Sequence, residues 1–443
     1  MTFAFVDLFA GVGGFHAVMS AFGGELKMAV EIDSSARETY KRNWGMYPER
    51  DVVEMANSRL GEIGKHTVLA GGFPCQPFSK SGRQRGMNEE RGQMFDEIIK
   101  ILDRYTPPVI VLENVRNITG PRQKETWTHI VSGLRDAGYR VPSAPCIVSP
   151  HRLPGNLGGA PQSRERVYIL GTFVGRERAL DEVDLPPVVP RIPDDNWSTS
   201  NWDLSALIES RSEVGTDKYR FTVQEQEWID VWNDFLARLM SVPLPSHPLW
   251  SSYWHDRATV DDSAPSWKQT FERKNIEFYL SNRPAIQAWL HANPRLRAFP
   301  KSRQKLEWQA QDSPRDLREC LLHLRPSGIR AKKMTYTPAL VAMAQTPLLG
   351  PYGRRMTPRE TLQLQGFPDW FELDHQSDGK SYKQLGNAIN VGVAYYVFRK
   401  HVLRDALEIV PQFGGAELVE AVQRAPVLPL VPDPTGRFAD VAV

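Results

Sequence analysis

The sequence predicts an α/β protein with a doubly wound, mostly parallel sheet and a second, smaller domain. Short apolar runs typical of buried strands alternate with helical patterns over the first 173 residues, as in doubly wound sheets. The chain of 443 residues is too long for one ordinary core. A proline-rich linker at 181–197 then separates the strand-rich part from sequence of another kind.

The first strand, Phe3–Phe9, runs into a turn from Gly11 to Gly14 and then into a helical pattern. Strand, glycine turn and helix are the layout of a nucleotide-cofactor site. The glycines do not match the dinucleotide pattern G-x-G-x-x-G, and any tight connection between a strand and a helix can use such a turn.

The second strand, at 26–30, ends in Glu31. A carboxylate at this position commonly accepts hydrogen bonds from ribose hydroxyls. The alternative is a charge at a helix N-terminus, with Ser34 and Ser35 as caps. Asp51 is expected to mark a third strand tip.

A strand at 66–70 leads into the turn Gly71–Ser79, which contains Cys75. Prolines fix φ on both sides of the sulfur, and two glycines before it allow a close backbone approach. A structural cysteine needs none of these features, so we interpret Cys75 as a nucleophile that acts as a thiolate. The basic, glycine-containing stretch at 80–92 is interpreted as a lid over a polyanion.

The strand at 109–112 ends in Glu113, where an acid or base would sit beside the thiol. Arg164 and Arg166 alternate with an acidic residue before the strand at 167–173, so both are predicted to project from one face of that strand. Because these candidates follow strands, we expect one site at the carboxyl edge of the sheet.

The middle of the chain contains a capping box, Thr222–Glu225, that opens a tryptophan-containing helix. Between His291 and Glu360 there are 14 Lys/Arg against 5 Asp/Glu, a local charge of +9 in a chain of net charge +2. Such a segment indicates either a polyanion partner or a solvated basic face. Within it, 325–333 is expected to form an exposed basic turn.

Cysteine usage and hydropathy exclude several classes of protein. The three cysteines are far apart and lack the spacing of metal ligands, which argues against a disulfide framework and zinc and for a reducing compartment. No signal peptide is visible, and no uninterrupted apolar run is long enough to span a membrane. We therefore expect a cytoplasmic protein that holds no metal.

Seven blocks closely resemble, in the same order, those of the DNA (cytosine-5)-methyltransferases of bacterial restriction–modification systems. The blocks are Asp7–Phe15, Glu31–Asp33, Gly72–Ser79, Glu113–Val115, Gln162–Arg166, Arg359–Glu360 with Leu364–Pro368, and Gly386–Asn387. The resemblance implies a Rossmann-like methyltransferase domain over 1–173 and 354–407. It makes 174–353 the target-recognition domain and leaves 408–443 as a loosely ordered, proline-rich tail outside the family core.

The resemblance also implies S-adenosylmethionine as methyl donor. Its expected contacts are Phe9, Gly11, Gly13, Glu31, Ile32, Asp51, Val52, Pro74 and Asn387. Within this set Phe9 is expected against the adenine, Glu31 on the ribose and Asp51 on the adenine amino group.

The catalytic residues implied by the resemblance are Cys75, Glu113, Arg164 and Arg166. The Cys75 thiolate adds to C6 of a flipped-out cytosine so that C5 can take the methyl group. Glu113 serves N3, Arg166 serves O2, and Arg164 supports the loop or a phosphate. Double-stranded DNA is the implied substrate, a separately encoded restriction endonuclease is the implied partner, and the enzyme is expected to be a monomer.

Two other functions stay open on the sequence alone. An RNA (tRNA) cytosine-5 methyltransferase would keep the chemistry, although those relatives have no comparably long recognition region. A non-catalytic, sequence-specific DNA-binding protein would need a decayed site, whereas Cys75, Glu113, Arg164 and Arg166 are all present. Transfer of a labelled methyl group to duplex DNA or to tRNA separates the three.

Overall fold

The computed structural model describes residues 2–74, 93–189, 197–208, 216–340 and 346–436. They divide into two compact units. The first holds the described residues within Met1–Trp202, Pro338–Ala344 and Thr361–Val443, and the second holds those within Asp203–Thr337 and Gln345–Glu360. The second unit thus begins at 203 rather than at the expected 174. The chain returns to the first unit for good at 361 rather than 354, and the C-terminal residues belong to that unit.

The first unit is built on a mixed sheet. The strands of this unit are β1 (Ala4–Leu8), β2 (Glu25–Val30), β3 (Val68–Gly71), β4 (Val109–Val115), β5 (Tyr139–Arg140), β6 (Cys146–Val148), β7 (Gln162–Ser163) and β8 (Arg166–Phe173), and all but β7 belong to that sheet. The helices between them are α1 (Gly14–Ala21), α2 (Ser34–Trp44), α3 (Val52–Asn57), α4 (Leu60–Ile63), α5 (Gln93–Tyr105), α6 (Lys124–Asp136) and α7 (Arg176–Asp181). Within the described residues the order is β2-β1-β3-β4-β8-β5, and β6 also pairs with β8.

The strand directions determine where functional residues meet. β1 runs parallel to β2 and β3, and β3 runs parallel to β4. β8 is antiparallel to β4, with Val115 opposite Arg166. Because β8 enters the sheet where β4 ends, its first residue lies at the carboxyl edge of the parallel strands.

Helices cover both faces of this sheet. Alternate residues such as Phe5, Val68 and Val111 pack in one core with α1 and the C-terminal helices. Their neighbours, such as Val6 and Leu69, pack in a second core with α3, α5 and α6. Strands buried on both faces read as continuous apolar runs, which is why the sequence revealed them.

The second unit combines helices with another sheet. Its elements are α8 (Val223–Arg238), β9 (Leu249–Trp250), α9 (Ser266–Ser281), α10 (Arg283–Ala292), β10 (Lys305–Gln309), β11 (Leu321–Arg325), β12 (Gly328–Lys332), β13 (Thr337–Pro338, at the end of the unit), β14 (Leu348–Leu349) and β15 (Arg354–Arg355). The predicted capping box of α8 is present. The described strands run in the order β15-β14-β11-β12-β10-β9, and one face of that sheet packs on α8 and α10.

The exposed basic turn predicted at 325–333 is a β-hairpin instead. Arg325 pairs with Gly328, so only Pro326 and Ser327 form the turn itself. Alternate residues of β12 face the helices and are buried, as Ile329 is, because side chains alternate along a strand. The basic residues therefore belong to a sheet face rather than to a loop.

The C-terminal part returns to the first unit. Its helices are α11 (Pro358–Leu364), α12 (Asp378–Asn387), α13 (Val391–Arg404), α14 (Ala406–Ile409) and α15 (Gly415–Arg424). The expected loosely ordered tail is wrong for α14 and α15, because Ile409, Leu418 and Val422 are buried in the core of this unit. Among the described residues no helix is both long and apolar enough to cross a membrane.

Candidate active site

A cavity of about 620 Å³ opens at the carboxyl edge of the parallel strands in the first unit. Parallel strands end at the same edge, so residues distant in sequence meet there. The predicted site residues that line it are Phe9, Gly11, Glu31, Ile32, Asp51, Val52, Pro74, Glu113, Arg164, Arg166 and Asn387. Gly13 is not part of this lining, and Cys75 lies outside the described residues.

The turn after β1 has a strained, specific backbone. Phe9 and Gly11 have φ of 55° and 56°, and a positive φ at a bulky residue is an outlier of the kind that clusters at functional sites. A Cβ on Gly11 would meet nothing within 4 Å, whereas one on Gly13 would lie 2.1 Å from Trp44 Nε1. Gly13 therefore serves the packing of Trp44, and Gly11 faces the cavity.

Glu31 ties two turns together at the end of β2. Its Oε2 accepts the N–H of Gly11 at 2.8 Å, and its Oε1 accepts the N–H of Asp33 at 2.7 Å. Burial raises the pKa of Glu31 against the opposing effect of these hydrogen bonds. An ionised carboxylate offers about four lone-pair sites, so Glu31 can also accept hydroxyl groups of a ligand.

Asp33 caps α2, in place of the expected Ser34 or Ser35. Its Oδ1 accepts the N–H groups of Ser35 at 2.9 Å and Ala36 at 3.2 Å. Its other oxygen accepts from Lys383 Nζ at 2.9 Å, and both partners of this pair line the cavity. Burial opposes ionisation of Asp33, but the hydrogen bonds from the Ser35 hydroxyl, from Lys383 and from the two backbone N–H groups prevail and lower its pKa to about 2.

Asp51 does not mark a strand tip. Only an isolated bridge between Val30 and Glu49 precedes it, and its carboxylate caps α3 by accepting the N–H of Val53 at 2.8 Å. Asp51 reaches the cavity as a helix cap because the loop before α3 runs beside the end of β2.

Glu113 and Arg166 form an ion pair at the end of β4. Arg166 Nε lies 2.9 Å from Glu113 Oε1, and the Glu113 residue is 8% exposed. Burial raises the pKa of Glu113, although Arg166 and Arg164 oppose the shift. A buried carboxyl with a raised pKa can hold a proton at a pH where an exposed glutamate has lost it.

Arg164 positions the segment between α12 and α13. Its guanidinium donates to the backbone carbonyls of Leu340 at 3.1 Å, Gly386 at 3.1 Å and Ala388 at 2.7 Å. β8 begins at Arg166, so the strand alternation predicted for the two arginines does not apply. Although Arg164 reaches the cavity wall, its hydrogen bonds are those of a structural clamp.

The chain that leads to Cys75 is fixed against β4. Asn114 Nδ2 donates to the carbonyl of Phe73 at 3.1 Å, and Pro74 lines the cavity directly before Cys75. The interpretation of 80–92 as a lid concerns residues outside the described ranges. The cavity lining therefore includes the residue that directly precedes the predicted nucleophile in the sequence.

The other two cysteines are unsuited to nucleophilic chemistry. Burial raises the pKa of Cys146 to about 11 and that of Cys320 to about 12. A thiol that keeps its proton near neutral pH is a poor nucleophile, because the thiolate is the reactive form.

The family of this chain can be read from its match to known proteins. Residues 3–403 match the model of the C-5 cytosine-specific DNA methylases. The chain belongs to that family. The methylase is 40% identical to the type II methyltransferase M.AluI of Cellulosimicrobium cellulans, over 95% of this chain and 96% of the relative. It is 27% identical to M.BanI of Aneurinibacillus aneurinilyticus, over 95% of this chain and 100% of that protein.

Among solved structures, the methylase matches Dnmt2 of S. pombe with a TM-score of 0.48 and 18% identity, over 91% of this chain and 99% of that chain. The family match and the M.AluI relationship confirm the predicted family, fold class and reaction. The methylase is a DNA (cytosine-5-)-methyltransferase.

Some cavity residues of the methylase escaped the sequence analysis. Lys383 and Gln384 line the cavity together with Gly386 and Asn387, the last of the seven blocks. The sequence could have predicted Lys383 from Asn387, because the two residues are four positions apart on α12 and therefore share one helix face. Met94 also lines the cavity, and nothing in its sequence surroundings distinguishes it from a core residue. The described residues show no group of three or more His, Cys, Asp or Glu arranged to hold a metal ion.

Proposed function

We propose that the methylase transfers the methyl group of S-adenosylmethionine to C5 of a flipped-out cytosine in a specific duplex sequence. The observation that carries the proposal is the cavity, which brings Glu31, Asp51, Glu113 and Arg166 together beside Pro74. The M.AluI relationship supports a modification role in a type II restriction–modification system. We further propose a monomer in the bacterial cytoplasm, with a separately encoded restriction endonuclease as its cognate partner.

The cavity residues fit S-adenosylmethionine, which supplies an electrophilic methyl group. The open space at Gly11 allows a ligand to approach the backbone closely. Glu31 has lone pairs left for ribose hydroxyls, and Asp51, which lines the same cavity, is proposed to accept from the adenine amino group. Ile32, 73% exposed, offers an apolar surface for the adenine together with Phe9. Val52, Pro74 and Asn387 are proposed to complete the site.

Cys75 is proposed as the nucleophile, since the pKa values of Cys146 and Cys320 leave both of them protonated. Cytosine C5 is too weak a nucleophile to take the methyl group unaided. Addition of the Cys75 thiolate forms an S–C6 bond and moves electron density onto C5. C5 then bonds to the methyl carbon as the bond between that carbon and the sulfonium sulfur of the donor breaks. The C5 proton passes to a base or to water, and cleavage of the S–C6 bond restores the ring and the thiolate.

Glu113 and Arg166 are proposed to stabilise the negative charge that thiolate addition creates. Burial favours the protonated form of Glu113, the form that would donate to N3, and Arg166 would donate to O2. Arg164 holds the carbonyls of Gly386 and Ala388 and so keeps Asn387 at the cavity wall. Arg164 is thus a positioning residue in this scheme. Base flipping is required because C6 is inaccessible within stacked duplex DNA.

The polar face of the sheet in the second unit is proposed to contact DNA. Lys305, Arg325, Arg330 and Lys332 alternate along their strands with residues that pack on the helices. Glu307 pairs with Arg325 and, at 2.9 Å, with Arg330. A carboxylate between two guanidinium groups fixes their planar forks, which suits bidentate contact with guanine edges.

Trapping on duplex DNA with 5-fluorocytosine in the target tests the reaction, because fluorine cannot leave as the proton does. Mass spectrometry of a digest is expected to place the adduct on Cys75, with Cys75→Ser as the control that forms none. An adduct on Cys146 or Cys320, or none with active enzyme, would overturn the nucleophile assignment. Labelled methyl transfer to duplex DNA, compared with tRNA, checks the substrate.

A further inference from the structure

The C-terminal residues beyond the family match contact the first unit at several points. Residues 404–436 follow the matched range and contain α14, α15 and an irregular segment. This irregular segment, residues 425–436, is called the C-terminal strap below. Tyr395 Oη donates to the carbonyl of Pro426 at 2.6 Å, and Trp370 Nε1 donates to the carbonyl of Val431 at 3.1 Å. The Val431 side chain is partly buried against the core of this unit. The strap is therefore anchored to the first unit at Pro426 and at Val431.

The second anchor of the strap lies beside a buried tryptophan. The Trp370 ring meets the Trp44 ring edge to face, with centroids 5.2 Å apart and an angle of 85° between the planes. Trp44 is 5% exposed, and its ring also stacks on the His16 ring with centroids 4.1 Å apart. Contacts with the His16 ring and the Trp370 ring therefore restrict the orientation of the Trp44 indole.

Trp44 in turn holds the turn that carries Gly11. Its Nε1–H donates to the carbonyl of Val12 at 2.9 Å, in the space that the missing side chain of Gly13 leaves. Gly11, two residues before Gly13, lines the cavity and donates its N–H to Glu31. A displacement of the Trp44 ring would therefore move the backbone that forms one wall of the cavity.

We propose that the C-terminal strap positions the cofactor turn at 11–14 through Trp370 and Trp44. Trp370 and Trp44 are positioning residues, since neither lines the cavity. The Val431 carbonyl of the strap holds Trp370 by a hydrogen bond, and the Trp370 ring packs on the Trp44 ring. Trp44 in turn donates its hydrogen bond to the Val12 carbonyl. The proposal rests on the proposed use of S-adenosylmethionine at this cavity.

The test uses full-length variants and does not depend on turnover. Trp370→Phe keeps an aromatic ring against Trp44 and loses the N–H that meets Val431. Val431→Asp places a charge where the strap packs on the core and so lifts the strap. The matched control is Tyr395→Phe, which removes the other hydrogen bond of the strap and leaves Trp370 untouched.

Calorimetric titration with S-adenosylhomocysteine is expected to show roughly tenfold weaker binding for Trp370→Phe and for Val431→Asp, the effect of about one hydrogen bond. The double variant is expected to be no weaker than either single one, because both act through one contact chain. Hydrogen exchange of amides at 10–16 should accelerate in the ligand-free variants. With saturating cofactor, kcat should stay at the parental value while the KM for cofactor rises.

Tyr395→Phe is expected to bind within twofold of the parent. Parental binding and exchange at 10–16 in both test variants, with only a lower unfolding midpoint, would overturn the proposal and leave the strap a stabilising element. Failure of the parent enzyme itself to bind S-adenosylhomocysteine would instead refute the proposed cofactor. The two failures are therefore distinguishable.

Discussion

At the scale of single residues, the site depends on carboxylates whose surroundings differ. Glu113 is buried beside an arginine and has a raised pKa. Asp33 is held by backbone N–H groups and Lys383, and its pKa falls to about 2. Glu31 bonds two backbone N–H groups yet is buried deeply enough for its pKa to rise. Burial and hydrogen-bond partners thus move the pKa values of three carboxyl groups in one cavity in different directions.

Glu113→Gln is expected to slow single-turnover methyl transfer by roughly 10²–10⁴-fold, because the amide keeps the shape but cannot transfer a proton. DNA affinity should change little. The raised pKa of Glu113 gives the sign of the pH effect: the donor is present below that pKa and is lost as pH rises through it. The parental rate should therefore fall on the alkaline side, and the variant should lack that limb. Rates within a fewfold of the parent at every pH would exclude this role.

Glu31→Ala is expected to weaken S-adenosylmethionine binding about ten- to hundredfold, the effect of losing a charged hydrogen-bond acceptor. The lower affinity has two causes. The variant loses the acceptor for the ligand hydroxyls, and it also loses the carboxylate that holds the N–H groups of Gly11 and Asp33. Isothermal calorimetry measures it. Glu38→Ala, which removes an exposed carboxylate of α2 paired with Arg42, is the matched control. Equal affinity in the two variants would move the ribose site elsewhere.

At the scale of elements, strand pairing creates both the cavity edge and the polar sheet face that is proposed to contact DNA. The antiparallel entry of β8 beside β4 places Arg166 at Glu113. In the second unit, the parallel pairing of β10 and β12 sets Glu307 opposite Arg330, and the hairpin adds Arg325 from β11. Each cluster joins residues from different strands, so neither appears as a motif of adjacent residues.

Glu307→Gln is expected to lower the preference of the methylase for its own site over other duplexes by roughly tenfold, within the 1–3 kcal/mol of one base contact. The variant loses the carboxylate that orients two guanidinium groups, and it gains positive charge that favours any DNA. Arg330→Ala should relax the choice of base at one position, as bisulfite mapping of methylated plasmid would show.

The control for the sheet face is Arg318→Ala. Arg318 is an exposed arginine paired with Asp230 of α8, the helix on the opposite face of the sheet. Its loss should leave specificity unchanged. If Glu307→Gln and Arg330→Ala both keep parental specificity and rate, the polar face does not read the sequence.

At the scale of the whole molecule, the cavity belongs entirely to the first unit. A ligand of this cavity therefore stabilises that unit by mass action. S-adenosylhomocysteine at 100 times its Kd should add about 2.7 kcal/mol to the unfolding free energy of the first unit. Differential scanning calorimetry is expected to show one transition that moves upward with ligand and one that does not. The assignment of the ligand site to the first unit alone is falsified if both transition temperatures rise by the same amount.

The sequence alone determined the fold class and most of the cavity. Buried parallel strands read as apolar runs, and residues at their ends share one edge, so local pattern predicted Glu31, Glu113 and the neighbourhood of Cys75. Short-range signals also revealed the capping box of α8, because its partners are three residues apart.

Tertiary structure alone decided what depends on pairing between distant segments. Arg164 is a clamp on three carbonyls from the later part of the chain, and Arg325 is paired with a buried glutamate on another strand. α15 is ordered because Leu418 and Val422 find a core built from the N-terminal sheet. Local sequence gives the chemistry of a side chain, but its burial and its partners are set by other strands and helices that pack against it. Those long-range contacts determine whether a charged group binds a ligand, supports the fold or changes its pKa.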